Sequence, residues 1–114
     1  MLTKEAMAEL LAFRTERDWE QFHTPRNISA SICIEASELL EIFQWAKDED
    51  LKDIVEARRE EVEFEVADLV MLLSYFCHDH NIDIEEVLRR KMVINKKKYP
   101  VEKSKGISTK YDRL

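Results

Sequence analysis

Turn-forming residues are scarce: the 114-residue chain has one glycine, Gly106, and two prolines, Pro25 and Pro100. So little punctuation argues against many short strands and for a few long helices. Cysteine is also rare, with only Cys33 and Cys77, each inside an apolar stretch of helical character. Two such thiols, with no signal-peptide pattern at the N-terminus, are expected to be buried and reduced. That fits a cytoplasmic protein better than a disulfide framework. The longest apolar stretch, Leu69 to Cys77, is too short to cross a bilayer, so no membrane partner is expected. The hydrophobic share of 45% is too high for a disordered chain. The length suits one domain with a modest core.

Charge is abundant but divided. The net charge of −6 hides a balance of −14 over residues 1–88 and +8 over residues 89–114. An acidic chain of pI near 5.1 is not expected to bind duplex nucleic acid. A basic segment following an acidic body fits a polyphosphate whose charge is shared between cations and Lys or Arg side chains.

The apolar periodicity predicts an all-α, four-helix bundle-like subunit. A first helix is expected from Thr3 to about Phe22. A second opens at Thr24–Pro25, an N-cap followed by proline at the first helical position, and runs to about Trp45. A third, interrupted near Ile54, is expected to reach about His78. Asp83 with Glu86 forms a capping box for a fourth, which Pro100 stops after about Lys98. Residues 1–100 then form the domain, and 101–114 a basic C-terminal tail ordered only by a partner.

Two of these helices carry paired carboxylates: Glu35-Ala-Ser-Glu38 and Glu65-Val-Ala-Asp68. Residues three apart share a helix face. The first pair continues through Ile42 and Trp45, the second through Leu72 and Tyr75. Each pair therefore lies in line with residues that should face inward. If the two helices pack together, four acids converge. Two unit charges about 6 Å apart repel by roughly 3 kcal/mol at an effective dielectric of about 20. A hard divalent cation, Mg2+ or Mn2+, suits such an all-oxygen set. A solvated acidic face is the alternative in a chain that is 37% charged. Glu60 and Glu63 are expected on the surface; Glu61, in phase with Glu65, is a candidate supporting base.

The spacing E-x-x-E, 26 residues, E-x-x-D resembles the metal signature of the MazG-like all-α nucleoside triphosphate pyrophosphohydrolases. The stretch Arg17-Asp18-Trp19-Glu20-Gln21-Phe22-His23 and the segments Pro25-Arg26-Asn27 and Phe43-Gln44-Trp45 narrow the resemblance. With Lys91-Met92 and Asn95-Lys96-Lys97-Lys98-Tyr99-Pro100, they look like the dCTP pyrophosphatase branch. The resemblance implies hydrolysis of a (d)NTP to (d)NMP and pyrophosphate, with Mg2+ held by Glu35, Glu38, Glu65 and Asp68. Glu35 or Glu38 would orient or deprotonate the water. It also implies a nucleoside pocket involving Trp19, His23 and Trp45, phosphate contacts from Lys91, Asn95 and Lys98, and assembly into dimers or tetramers. Leu10 and Leu72 stand where relatives carry a histidine and a tyrosine. Losing two hydrogen-bonding groups implies a looser pocket with weaker base discrimination.

Two rival readings stand beside this one. A di-iron carboxylate bundle needs Glu-x-x-His twice, and only Glu20-Gln21-Phe22-His23 supplies that spacing. A non-catalytic helical interaction module would use the same helices without depending on the four acids.

Overall fold

The computed structural model describes residues 1–114 and contains helices and turns but no strand. Its helices are α1 (Lys4–Glu16), α2 (Pro25–Glu41), α3 (Leu51–Ala57), α4 (Arg59–Asp79), α5 (Ile84–Lys98) and α6 (Val101–Ser104), with 3-10 turns in the α1–α2 and α2–α3 connections and after α6. The chain forms two compact units, Met1–Asn81 and Ile82–Leu114.

In the first unit α4 is the axis. It packs along α2, with α1 and α3 also against it. Inward residues follow the helical period: Ile28 and Ile42 on α2 are buried and lie two heptads apart, and Tyr75 on α4 and Leu10 on α1 close the core. The Tyr75 hydroxyl donates to the Leu10 carbonyl at 2.8 Å, which satisfies its polar end on the backbone of α1.

The helix ends refine the sequence expectations. The first helix stops at Glu16 rather than reaching Phe22, because Asp18 adopts a left-handed conformation with φ 55°. Trp19 N–H then donates to the Arg14 carbonyl at 3.1 Å and Asp18 N–H to the Thr15 carbonyl at 3.0 Å, closing a Schellman-type cap. Thr24 caps α2 as expected, its hydroxyl accepting from Asn27 N–H at 3.1 Å. That helix ends at Glu41, and residues 42–45 form a turn. The break in the next stretch falls at Arg58, not near Ile54. The Arg58 side chain donates back to the Ile42 carbonyl at 3.4 Å, filling one acceptor left open by the end of α2. Asn81, with φ 54°, ends α4.

The second unit holds α5, capped by Asp83 accepting from Glu86 N–H at 3.3 Å, as the capping box predicts. The tail expected to need a partner carries α6 and a 3-10 turn over Tyr111–Arg113. Tyr111 meets Tyr99 edge to face at 6.1 Å and takes Lys98 Nζ over its ring at 4.5 Å. Cys33 is exposed and Cys77 half-buried; both are free, so burial fails for the first thiol. No helix is long and apolar enough to cross a membrane.

Few apolar side chains are buried, so each of them matters. Ile28 is 2% exposed. Ile28→Ala should lower unfolding stability by about 2–5 kcal/mol. A shift in the urea midpoint at constant slope would register it.

Candidate metal centre and apolar cavity

Glu35 occupies the middle of the inward stripe of α2, one heptad from Ile28 and one from Ile42. Glu65 occupies the matching stripe of α4, one heptad before Leu72. Packing α2 on α4 therefore brings these two acids together as an inner pair. Glu38 and Asp68, three residues on, sit at the exposed edge of the same surface. Carboxylate oxygens of Glu35, Glu38 and Glu65 all lie within 4.8 Å of one another. Asp68 stands outside that tight group, yet its charge acts on both Glu35 and Glu65.

Burial is the main force pushing the Glu35 carboxyl up to about 7, followed by contact with Glu38 and the charges of Glu38, Asp68 and Glu65. Glu65 is raised first by burial and then by Glu38. Glu35 Oε2 and Glu65 Oε2 are shut off from solvent with no hydrogen-bond partner. Two orphaned carboxylate oxygens, with a third acid beside them, are what a hard cation would satisfy. The donor set fits Mg2+ or Mn2+: it is all oxygen, with neither sulfur nor nitrogen.

The neighbouring acids are engaged elsewhere. Arg58 takes Glu61 and holds its carboxyl below the usual range. Glu61, weighed as a supporting base, is thus committed to an arginine. Arg59 pairs with Glu56 at 2.9 Å and Glu63 at 3.3 Å. His23 bonds to Arg14 rather than to a carboxylate cluster, and the acid group contains no histidine, so the di-iron pattern does not form.

Trp19 and His23 come together at a cavity of about 280 Å³ between α1 and α4, lined also by Leu10, Phe13, Met71, Leu72 and Tyr75. The Schellman cap at Asp18 creates this arrangement, because it turns the chain so that Trp19 meets Phe13 edge to face at 5.6 Å. Leu10 and Leu72, the two departures noted in the sequence, are both in its wall. Trp45 is not brought there; it stands 89% exposed on the turn after α2. Lys91, Asn95 and Lys98 share one face of α5 in the second unit, with Asn95 and Lys98 half-buried.

Sequence reasoning missed Arg14 and Asp79. Arg14 is 2% exposed and forms a two-pronged ion pair with Asp79, both N–H···O distances being 2.8 Å. The signal was present: Arg14 lies four residues after Leu10 on the buried face of α1, and Asp79 four after Tyr75 on α4. What the sequence lacked was the 65-residue link between them.

A MazG-like family model matches residues 30–114. The chain belongs to the MazG-like family. It is 36% identical over 104 residues to the dCTP pyrophosphatase 1 of Bos taurus, covering 90% of this chain and 62% of that protein. To the Homo sapiens dCTP pyrophosphatase 1 it is 35% identical over 104 residues, covering 90% and 61%. The chain thus spans about three-fifths of the length of these curated relatives. Among solved structures, a pyrophosphatase from Archaeoglobus fulgidus is 42% identical, covers 85% of this chain and 91% of its own, and superposes with a TM-score of 0.82. The family's matched segment includes all four acids of the two pairs.

The raised carboxyls predict a pH dependence. Between about pH 4.5 and 7 the folded chain binds more protons at Glu35 than the unfolded chain does, so its contribution to stability falls as pH rises through that window. His23, lowered chiefly by burial, acts oppositely near its ordinary pKa of 6.5. The Glu35→Gln variant separates the two: without divalent ions its melting temperature should exceed that of the parent at pH 8, with the gap closing by pH 5. Thermal melts across that range test it.

Proposed function

We propose that this protein is a metal-dependent nucleoside triphosphate pyrophosphohydrolase. Water adds to the α-phosphorus of a (d)NTP, the α–β anhydride bond breaks, and pyrophosphate leaves with its electron pair, giving a (d)NMP. The observation that carries the reading is the acid cluster with its orphaned Glu35 and Glu65 oxygens. Membership of the MazG-like family and similarity to proteins named dCTP pyrophosphatase 1 support it.

Glu35, Glu38, Glu65 and Asp68 would hold Mg2+, or Mn2+. The ion, when bound, supplies positive charge against the phosphate oxygens of a polyanionic substrate. Every other step falls to the chain's own residues. Glu35 or Glu38, side by side in the cluster, would orient the attacking water or take its proton. No serine, threonine or cysteine nucleophile is required. Trp19 and His23 would receive the base in the apolar cavity, and Trp45, exposed after α2, is free to stack on it. Lys91, Asn95 and Lys98 would meet phosphates. dCTP or a related pyrimidine deoxynucleotide is the proposed preferred substrate. Leu10 and Leu72, both in the cavity wall, loosen that preference. The two free thiols suit a reducing compartment such as the cytoplasm.

Assembly belongs to the same proposal. Leu40 and Phe64 are each 61% exposed, Val101 is 69% exposed, and no large side chain is completely buried. That much apolar surface on a small chain is characteristic of a subunit. Dimers or tetramers would cover it and complete a helical bundle. Sedimentation at micromolar concentration should give a multiple of 13.6 kDa, and a monomer would contradict assembly.

The reaction is tested directly. With saturating Mg2+, Glu38→Ala and Asp68→Ala should each lose at least a hundredfold in turnover of dCTP while keeping the helical circular-dichroism signal. Reaction in 18O-labelled water should place the label in the monophosphate and release unlabelled pyrophosphate. Undiminished turnover in either variant would reject the four-acid site, and a parent protein that turns over no nucleoside triphosphate would favour a non-catalytic interaction module.

A further inference from the structure

Arg14 donates to more than its ion-pair partner. Its Nη1 reaches Asp79 Oδ2 at 2.8 Å and also lies 3.3 Å from Nδ1 of His23. A guanidinium has donors only, so Nδ1 of His23 must accept and carries no proton. The proton of the neutral ring then sits on Nε2. Asp79 grips the other prong at 2.8 Å, so the direction of the bond toward His23 is fixed by a rigid fork. Tyr75 contacts both partners, with the His23 ring tilted at 52° against it at 4.8 Å and the Arg14 guanidinium over its ring at 4.7 Å. Burial and the Arg14 charge lower the pKa of His23; Asp79 and Glu20 oppose this more weakly.

His23 also lines the apolar cavity, and its Nε2 makes no hydrogen bond within the chain. Leu10, Phe13, Met71 and Leu72 bring no hydrogen-bonding side-chain group of any strength, and the Tyr75 hydroxyl is spent on the Leu10 carbonyl. Of the lining side chains only His23 and Trp19 have an N–H left to offer. The cavity is therefore built to meet an acceptor.

We infer that Arg14 and Asp79 are positioning residues for base recognition: they hold His23 as a neutral ring protonated on Nε2, a fixed donor for a carbonyl oxygen of the substrate's base. This rests on the pyrophosphohydrolase reading and specifies how its base is chosen. Every pyrimidine base offers a carbonyl at O2. Adenine carries none and can meet the donor only through a ring nitrogen, so a donor fixed for a carbonyl oxygen meets it in poorer geometry and favours the pyrimidine.

The test combines spectroscopy and kinetics on the full chain. Long-range 1H–15N spectra should show His23 neutral and protonated on Nε2 at pH 8, with its Nε2 resonance moving further on addition of dCMP than of dAMP. Arg14→Lys keeps the charge and loses the fork. His23 should then titrate differently, KM for dCTP should rise about tenfold with kcat within about twofold, and the preference for dCTP over dATP should fall in proportion. His23→Phe keeps an aromatic ring against Tyr75 without the donor and should give the same KM loss. Adding Arg14→Lys to His23→Phe should cost nothing more, because Arg14 acts through His23. A proton on Nδ1 in the parent, no response to dCMP, or full additivity of the two variants would each overturn the proposal. An intact Nε2–H signal that responds to dCMP, in a protein that hydrolyses no nucleoside triphosphate, would instead overturn the pyrophosphohydrolase reading and leave the donor in place.

Discussion

The packing of α2 against α4 forces carboxylates into each other's company, and the rest of the first unit is arranged around that conflict. Glu35 interrupts the stripe that joins Ile28 to Ile42, and Glu65 interrupts the stripe leading to Leu72. A leucine at either position would give a better core. Burial, and after it the neighbouring acid Glu38, raises the pKa of both carboxyls, and Glu35 Oε2 and Glu65 Oε2 are left without partners. Such a defect is one that a bound cation would relieve. The two outer acids keep access to solvent, so a cation could enter from their side without opening the helix pair.

A second buried charge system solves its problem differently. Arg14 and Asp79 neutralise each other within the fold, through two bonds of 2.8 Å. One unit therefore contains a compensated pair and an uncompensated cluster. The two differ in consequence: the compensated pair braces His23 at the wall of the apolar cavity, and the cluster keeps a charge that a cation would offset. Tyr75 ties the stiff part together, bonding to the backbone of α1 and packing its ring against His23 and Arg14.

Much of this was legible because it is local. The N-cap at Thr24, the capping box at Asp83 and the three-residue spacing of the acids are each written within a few positions. The phase of the acids was legible in part: it put all four and Trp45 on the inward side, which holds for Glu35 and Glu65, while Glu38, Asp68 and Trp45 are exposed. Three things were not. Asp18 in a left-handed conformation ends α1 six residues early, and nothing in its neighbours forbids a continued helix. The Arg14–Asp79 pair joins residues 65 apart, so only the packing of α1 on α4 reveals it. The distinction between inner Glu35 and Glu65 and outer Glu38 and Asp68 depends on how the two helices are rotated against each other, which periodicity fixes only to within a side chain's width.

The thin core completes the physical picture. Buried apolar side chains are few, while Phe64, Leu40 and Trp45 are largely exposed. A chain that spends inward positions on Glu35, Glu65 and Arg14 has fewer left for hydrophobic burial, and domains of this size have little margin. Any ligand that binds only the folded form adds stability by mass action, and so does any second copy. Cation, nucleotide and neighbouring subunit would then do structural work as well as chemistry. The same inward acids that weaken the isolated fold would make its stability responsive to what it binds.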